Sequence, residues 1–147
     1  MKKQVLTLMA AGLFVAVAAL NAHAHCEIPC GIYNDQMRIG MIEEHITTIE
    51  KAMDQIMKLE GTKPENPNQL VRWIMTKEFH SDEIQKIVTQ YYMTQRIKPG
   101  MQDYEKKLKL LHQMLITAMK CKQTTEPGNV KQLKAQVNDF KALYFLK

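Results

Sequence analysis

Cysteine, glycine, proline and aromatic residues are all scarce in this 147-residue chain. Three cysteines are too few for a disulfide-framed scaffold, so any that matter do chemistry or close a single clip. Six glycines and five prolines exclude collagen-like and low-complexity chains. No internal repeat, long linker or alternating strand pattern is present. No RNA-binding signature or interleaved basic and aromatic run marks a nucleic-acid surface. What remains, 46% apolar and 24% charged, is the composition of a soluble globular domain with a buried core.

The only long uncharged apolar run is at the beginning. Lys2 and Lys3 precede the run from Val5 to Leu20, and Ala22-His23-Ala24 fits the small-residue rule for signal cleavage. Residues 1–24 therefore read as a secretory signal peptide, with no membrane attachment after cleavage. No twin arginine precedes the run, so the expectation is general export to a periplasm or beyond the cell. Residues 25–147 remain as one domain. Two lysines leave with the signal, and the formal +5 of the full chain falls to a mildly basic value that suits a small anionic substrate.

Cleavage after Ala24 makes His25 the first residue of the mature chain, which begins His25-Cys26-Glu27-Ile28-Pro29-Cys30-Gly31-Ile32-Tyr33. Two thiols, an imidazole and a free α-amine are soft sulfur and nitrogen donors, which disfavours magnesium, calcium and manganese. One backbone amide separates the His25 amine from the Cys26 sulfur. If that amide loses its proton, two fused chelate rings close, and the Cys30 sulfur completes a planar N₂S₂ set. Such a plane suits Ni(II) first and Cu(II) second, whereas zinc prefers a tetrahedron. The His25 imidazole is left over for an axial position, and the donor set makes a high oxidation state accessible. The pattern is that of a redox site.

The run His25-Cys26-x-x-Pro29-Cys30-Gly31-x-Tyr33 resembles the nickel hook of the nickel-containing superoxide dismutase family. Asn68-Gln69-Leu70-Val71-Arg72-Trp73 and Tyr91-Tyr92-Met93-Thr94-Gln95-Arg96-Ile97-Lys98-Pro99 resemble further segments of its bacterial members. The resemblance implies one nickel per chain, held by His25, Cys26 and Cys30, cycling between Ni(II) and Ni(III). It implies conversion of two superoxide anions and two protons to dioxygen and hydrogen peroxide, in a homohexamer. It also implies that Tyr33, with Tyr91 as its better-matched companion and Tyr92 next to it, gates access and orders water. Where some members place a glutamate that steers the axial imidazole, this chain has Gly40, and the network's arginine aligns near His80. Glu43, Glu44 and His80 are the candidates for orienting His25.

The remaining sequence reads as helices. Ile42, Ile46, Ile49, Met53 and Ile56 lie on one face of a helix from about Asp35 to Leu59, which Gly61 and Pro64 end. A second helix, from about Asn68 to Thr94, carries Leu70, Ile74, Phe79, Ile84, Ile87, Val88 and Tyr91, all but the last read as plain core. A third carries Tyr104, Leu108, Leu111, Leu115 and Ala118. Pro127 opens a fourth with Val130, Leu133, Val137, Phe140 and Tyr144 on one stripe. The predicted fold is all-α, an antiparallel up-and-down four-helix bundle with an N-terminal metal-binding hook.

Other eye-catching residues have plainer readings. His45 and His112 are expected at the surface or in packing, Cys121 as a partly buried thiol, and Glu105, Lys106, Lys107 and Lys109 as a solvated face. The methionines are expected as core or interface filler. Two alternatives to the enzyme stay open at this point: an exported helical interaction module with a Cys26–Cys30 disulfide, and a carrier of nickel or copper.

Overall fold

The computed structural model describes residues 4, 7, 9, 29–60 and 67–145. The chain divides into two units, Met1–Gly31 and Ile32–Lys147. Among the described residues of the second are four α-helices: α1 Asp35–Glu60, α2 Pro67–Lys86, α3 Tyr104–Gln123 and α4 Pro127–Phe145. A π-helix, Ile87–Arg96, continues directly from α2. No strand occurs among the described residues. None of their helices is long and apolar enough to cross a membrane.

Helix α1 starts where its sequence provides a cap. Asn34 Oδ1 accepts a hydrogen bond from the Met37 amide at 3.0 Å, satisfying one of the donors that a helix start leaves open. Asp35 follows in the first turn, where a carboxylate meets the positive end of the helix dipole. Ile39, Ile42, Ile46, Ile49, Met53 and Ile56 are all buried, as their three-four spacing requires. Each isoleucine withdrawn from water contributes about 1.5–3 kcal/mol.

Each helix packs against the next in the chain, and α4 closes against α1. Lys134 pairs with Glu50 and Lys141 with Glu43, so advancing along α4 means retreating along α1. Between α2 and α3, Lys77 donates to Cys121 O at 2.9 Å and Gln85 Nε2 to Leu115 O at 3.1 Å, again in opposed directions. Lys77 is itself buried and also donates to Lys122 O, so an α2 lysine satisfies carbonyls at the end of α3.

The core is built from the expected stripes, with four corrections. Leu70 and Ile74, read as core on α2, are only half-buried and lie outside the buried cluster. Phe79, read as core, is 57% exposed on α2, whereas Tyr92 is completely buried. Lys107, read as part of a solvated face, is buried and donates to Gln102 O at 2.8 Å. The second helix does not stop at Thr94 but runs to Arg96 with a change of pitch. The Ile97 amide donates to Tyr92 O at 2.8 Å, and Thr94 Oγ1 and Gln95 Nε2 reach back five residues to Thr89 O and Gln90 O. In this i to i−5 pattern residues five apart stack over one another. The wider turn thus brings Tyr91 and Arg96 to the same side, toward the start of α1.

Candidate metal centre

His25 and Cys26, the first two residues of the predicted hook, lie outside the described residues. Pro29–Gly31 form a bend, with Cys30 exposed and Gly31 at φ 80°, a left-handed conformation that favours glycine. Among the described residues no group of three or more His, Cys, Asp or Glu side chains is arranged to hold a metal ion. Of the sequence-predicted donors His25, Cys26 and Cys30, only Cys30 is among those residues.

The second unit contains a dense polar and aromatic cluster at the start of α1. The rings of Tyr33 and Tyr91 meet edge to face with centroids 5.9 Å apart. Arg96 lies 4.3 Å over the Tyr33 ring, and Arg38 lies 5.1 Å over the Tyr91 ring. At the centre, Asp35 accepts Arg96 Nε on Oδ1 and Arg96 Nη2 on Oδ2, both at 2.8 Å. The Tyr91 hydroxyl donates to Oδ1 at 2.5 Å and the Tyr144 hydroxyl to Oδ2 at 2.8 Å. Tyr92 donates to the Asp35 backbone carbonyl at 2.7 Å. One carboxylate at the start of α1 thus ties together the π-helix and the end of α4.

These contacts set the protonation states. Burial works to raise the pKa of Asp35, but hydrogen bonds from Arg96, Tyr91 and Tyr144, with the charge of Arg96, outweigh it and hold the carboxyl below its usual range. The hydrogen bond to Asp35 keeps Arg96 firmly protonated against the opposing effect of burial. Burial and the Asp35 hydrogen bond push Tyr144 up to about 12 and raise Tyr91 as well. Tyr33 is 40% exposed, and its hydroxyl bonds no other described residue. Within the ring pair, Tyr91 is therefore the phenol committed to Asp35, whereas Tyr33 makes no hydroxyl bond among the described residues.

The candidates for orienting His25 are all described, though His25 is not. Glu43 is paired with Lys141 at 2.6 Å, and Glu44 is exposed. Gly40 has open space where a Cβ would stand. His80 places its Nδ1 2.7 Å from Nδ1 of His45 on α1. His45 is half-buried against His80, in keeping with its reading as a packing histidine. Burial and then the neighbouring His80 lower the pKa of His45, and Glu83 and Glu44 oppose them.

Sequence reasoning did not single out Asp35, Arg38 or Tyr144. Asp35 reads as an ordinary acidic residue opening a helix, and Tyr144 as one more member of the α4 stripe. Only the position of Arg96 five residues after Tyr91 hinted at a shared face, and that spacing carries meaning only in a π-helix.

The described residues define a helical protein in which Tyr33, just before the first helix, and Tyr91 of the π-helix meet beside a carboxylate that opens that helix. The model of the family described as nickel-containing superoxide dismutase matches residues 20–147, and the chain belongs to that family. Membership assigns it to the superoxide dismutases and gives it nickel as cofactor. No curated protein and no solved structure matches the chain.

Proposed function

We propose that the chain is an exported nickel superoxide dismutase that converts two superoxide anions and two protons to dioxygen and hydrogen peroxide. The observation that carries this reading is the extent of the family match, which begins at residue 20 and so includes the whole His25–Cys30 donor segment. The signal is residues 1–24, the mature domain residues 25–147, and the destination a periplasm or the medium. The opposed registers of α1 with α4 and of α2 with α3 support an antiparallel up-and-down bundle carrying the hook at its N-terminus. The family resemblance adds a homohexamer.

His25 would hold the nickel through its α-amine and imidazole, Cys26 through its amide nitrogen and thiolate, and Cys30 through its thiolate, one metal per chain. Bound there, nickel supplies a one-electron couple between Ni(II) and Ni(III). The protein's part is preparation and access. Signal cleavage creates the His25 amine, because in the precursor that nitrogen is a peptide amide bonded to Ala24. Tyr91, locked to Asp35, gives the Tyr33 ring a fixed partner. Tyr33 Oη, with no described protein partner, is the hydroxyl left to bond the water that brings protons to the departing peroxide. Arg96 holds the Tyr33 ring in place through its face.

The test is residue by residue. His25→Ala should retain nickel and lose most of the dismutation, whereas Cys26→Ser and Cys30→Ser should lose both. Equal activity in all three variants would refute the ligand assignment.

A further inference from the structure

The two arginines beside the tyrosine pair are not equivalent. Arg96 has its Nε and Nη2 engaged by Asp35. Arg38 has no ion pair among the described residues. Its Nη1 approaches the Met41 sulfur at 3.9 Å, and its Nε is buried with no acceptor among the described residues. The residue is nonetheless part-exposed, so its guanidinium is not sealed within the core.

The reason Arg38 stands uncompensated lies one turn back. Asp35 is three residues earlier on α1 and would be its natural partner. An ionised carboxylate offers about four lone-pair sites. Asp35 has four donors: Tyr91, Tyr144, and Arg96 through two nitrogens. Glu43, further along α1, is taken by Lys141. A cation is thus kept on the face of Tyr91 with no anion among the described residues paired to it. Buried N–H groups are ordinarily satisfied, so the orphan Nε marks Arg38 as an under-bonded cation, whose part-exposed side chain can still meet an anion from solvent.

We propose that Arg38 is the anion-recognition residue of the site: it draws superoxide to the Tyr33–Tyr91 pair and holds it there by charge-assisted hydrogen bonds. This rests on the dismutase reading above. Asp35 contributes indirectly, because its engagement with Arg96 and two phenols prevents it from neutralising Arg38. Other small monovalent anions then compete for the same guanidinium.

The chain contains three arginines, Arg38, Arg72 and Arg96, so their Nε–H signals in the ¹⁵N-arginine-labelled holoprotein can be followed separately. Azide, as a small unreactive anion, should shift the Arg38 signal saturably while Arg96, bound to Asp35, and the exposed Arg72 stay in place. In kinetics on nickel-loaded protein, Arg38→Gln should lower kcat/KM about tenfold and flatten its dependence on ionic strength, with nickel content unchanged. Arg38→Lys, which keeps the charge, should lose less than about threefold. An Arg38 signal indifferent to azide, or a glutamine variant with wild-type kcat/KM and salt dependence, would overturn the proposal. If azide shifts Arg38 but the wild-type holoprotein does not dismutate superoxide, the anion site stands and the enzymatic reading fails.

Discussion

Arg96 grips Asp35 through two parallel contacts of 2.8 Å, joining the end of the π-helix to the first residue of α1. The same guanidinium covers the Tyr33 ring, so a single ion pair fixes the tyrosine nearest in sequence to the hook. Because both partners are largely shielded, the pair is worth more than a surface bridge. Its geometry leads to the first two predictions.

Replacing Asp35 with Asn leaves Arg96 without its carboxylate and removes the acceptor of two phenols. The expected cost is about 2–3 kcal/mol in chemical denaturation. Tyr91→Phe, which loses a single hydrogen bond to the carboxylate, should cost about 1–2 kcal/mol. Because the two changes share a partner, the double variant should fall short of their sum. Strict additivity would show that Tyr91 does not depend on Asp35.

The depressed pKa of Asp35 fixes the sign of an acid effect. Its contribution is fully present above the unfolded carboxyl value of about 4 and is lost as pH falls through the lower folded value. Wild-type stability should therefore decline below about pH 4 more steeply than that of the Asn variant. Parallel curves measured by urea unfolding would count against the ionised clasp.

The His45–His80 pair predicts a second, milder acid effect. Two Nδ1 atoms 2.7 Å apart can share one proton but not hold two, and His45 is depressed by burial and by His80 in spite of Glu83 and Glu44. The unfolded chain binds protons more readily, so stability is full above about pH 6.5 and falls as pH drops through that value. His45→Gln should flatten this part of the stability profile. A slope unchanged in that variant would assign it to other groups.

Cys121 should be inert in the folded protein. It is fully buried on α3, and burial pushes its thiol up to about 11, with Lys77 opposing. Iodoacetamide at pH 8 should leave it unlabelled until denaturant is added, as judged by mass spectrometry of the peptide. Rapid labelling in native conditions would contradict the packing of α3 against α2.

The α1 stripe was legible because a run of isoleucines at three-four spacing has one low-energy solution, a helix with that face inward. Tyr33 and Tyr91, linked beforehand only by resemblance, lie in ring contact. Phe79 was misjudged because apolar character alone does not say on which side of α2 a residue falls. The π-helix escaped notice since it breaks the very periodicity used to read helices. Asp35 and Arg38 were invisible for another reason: their roles depend on which donors and acceptors three separate elements bring together, and spacing along one helix carries no such information. Lys77 belongs with them, a lysine whose surroundings are set by the end of α3.

The central claim is that this chain disposes of superoxide with nickel at a terminus that only processing creates. The most direct measurement is the rate of superoxide decay with nickel-loaded protein beginning at His25, set beside an otherwise identical chain beginning Met-His25. Fast dismutation by the first, with about one nickel per chain, and none by the second is the predicted result. No dismutation by the nickel-loaded His25 chain, or full activity in the chain with the extra methionine, would contradict it.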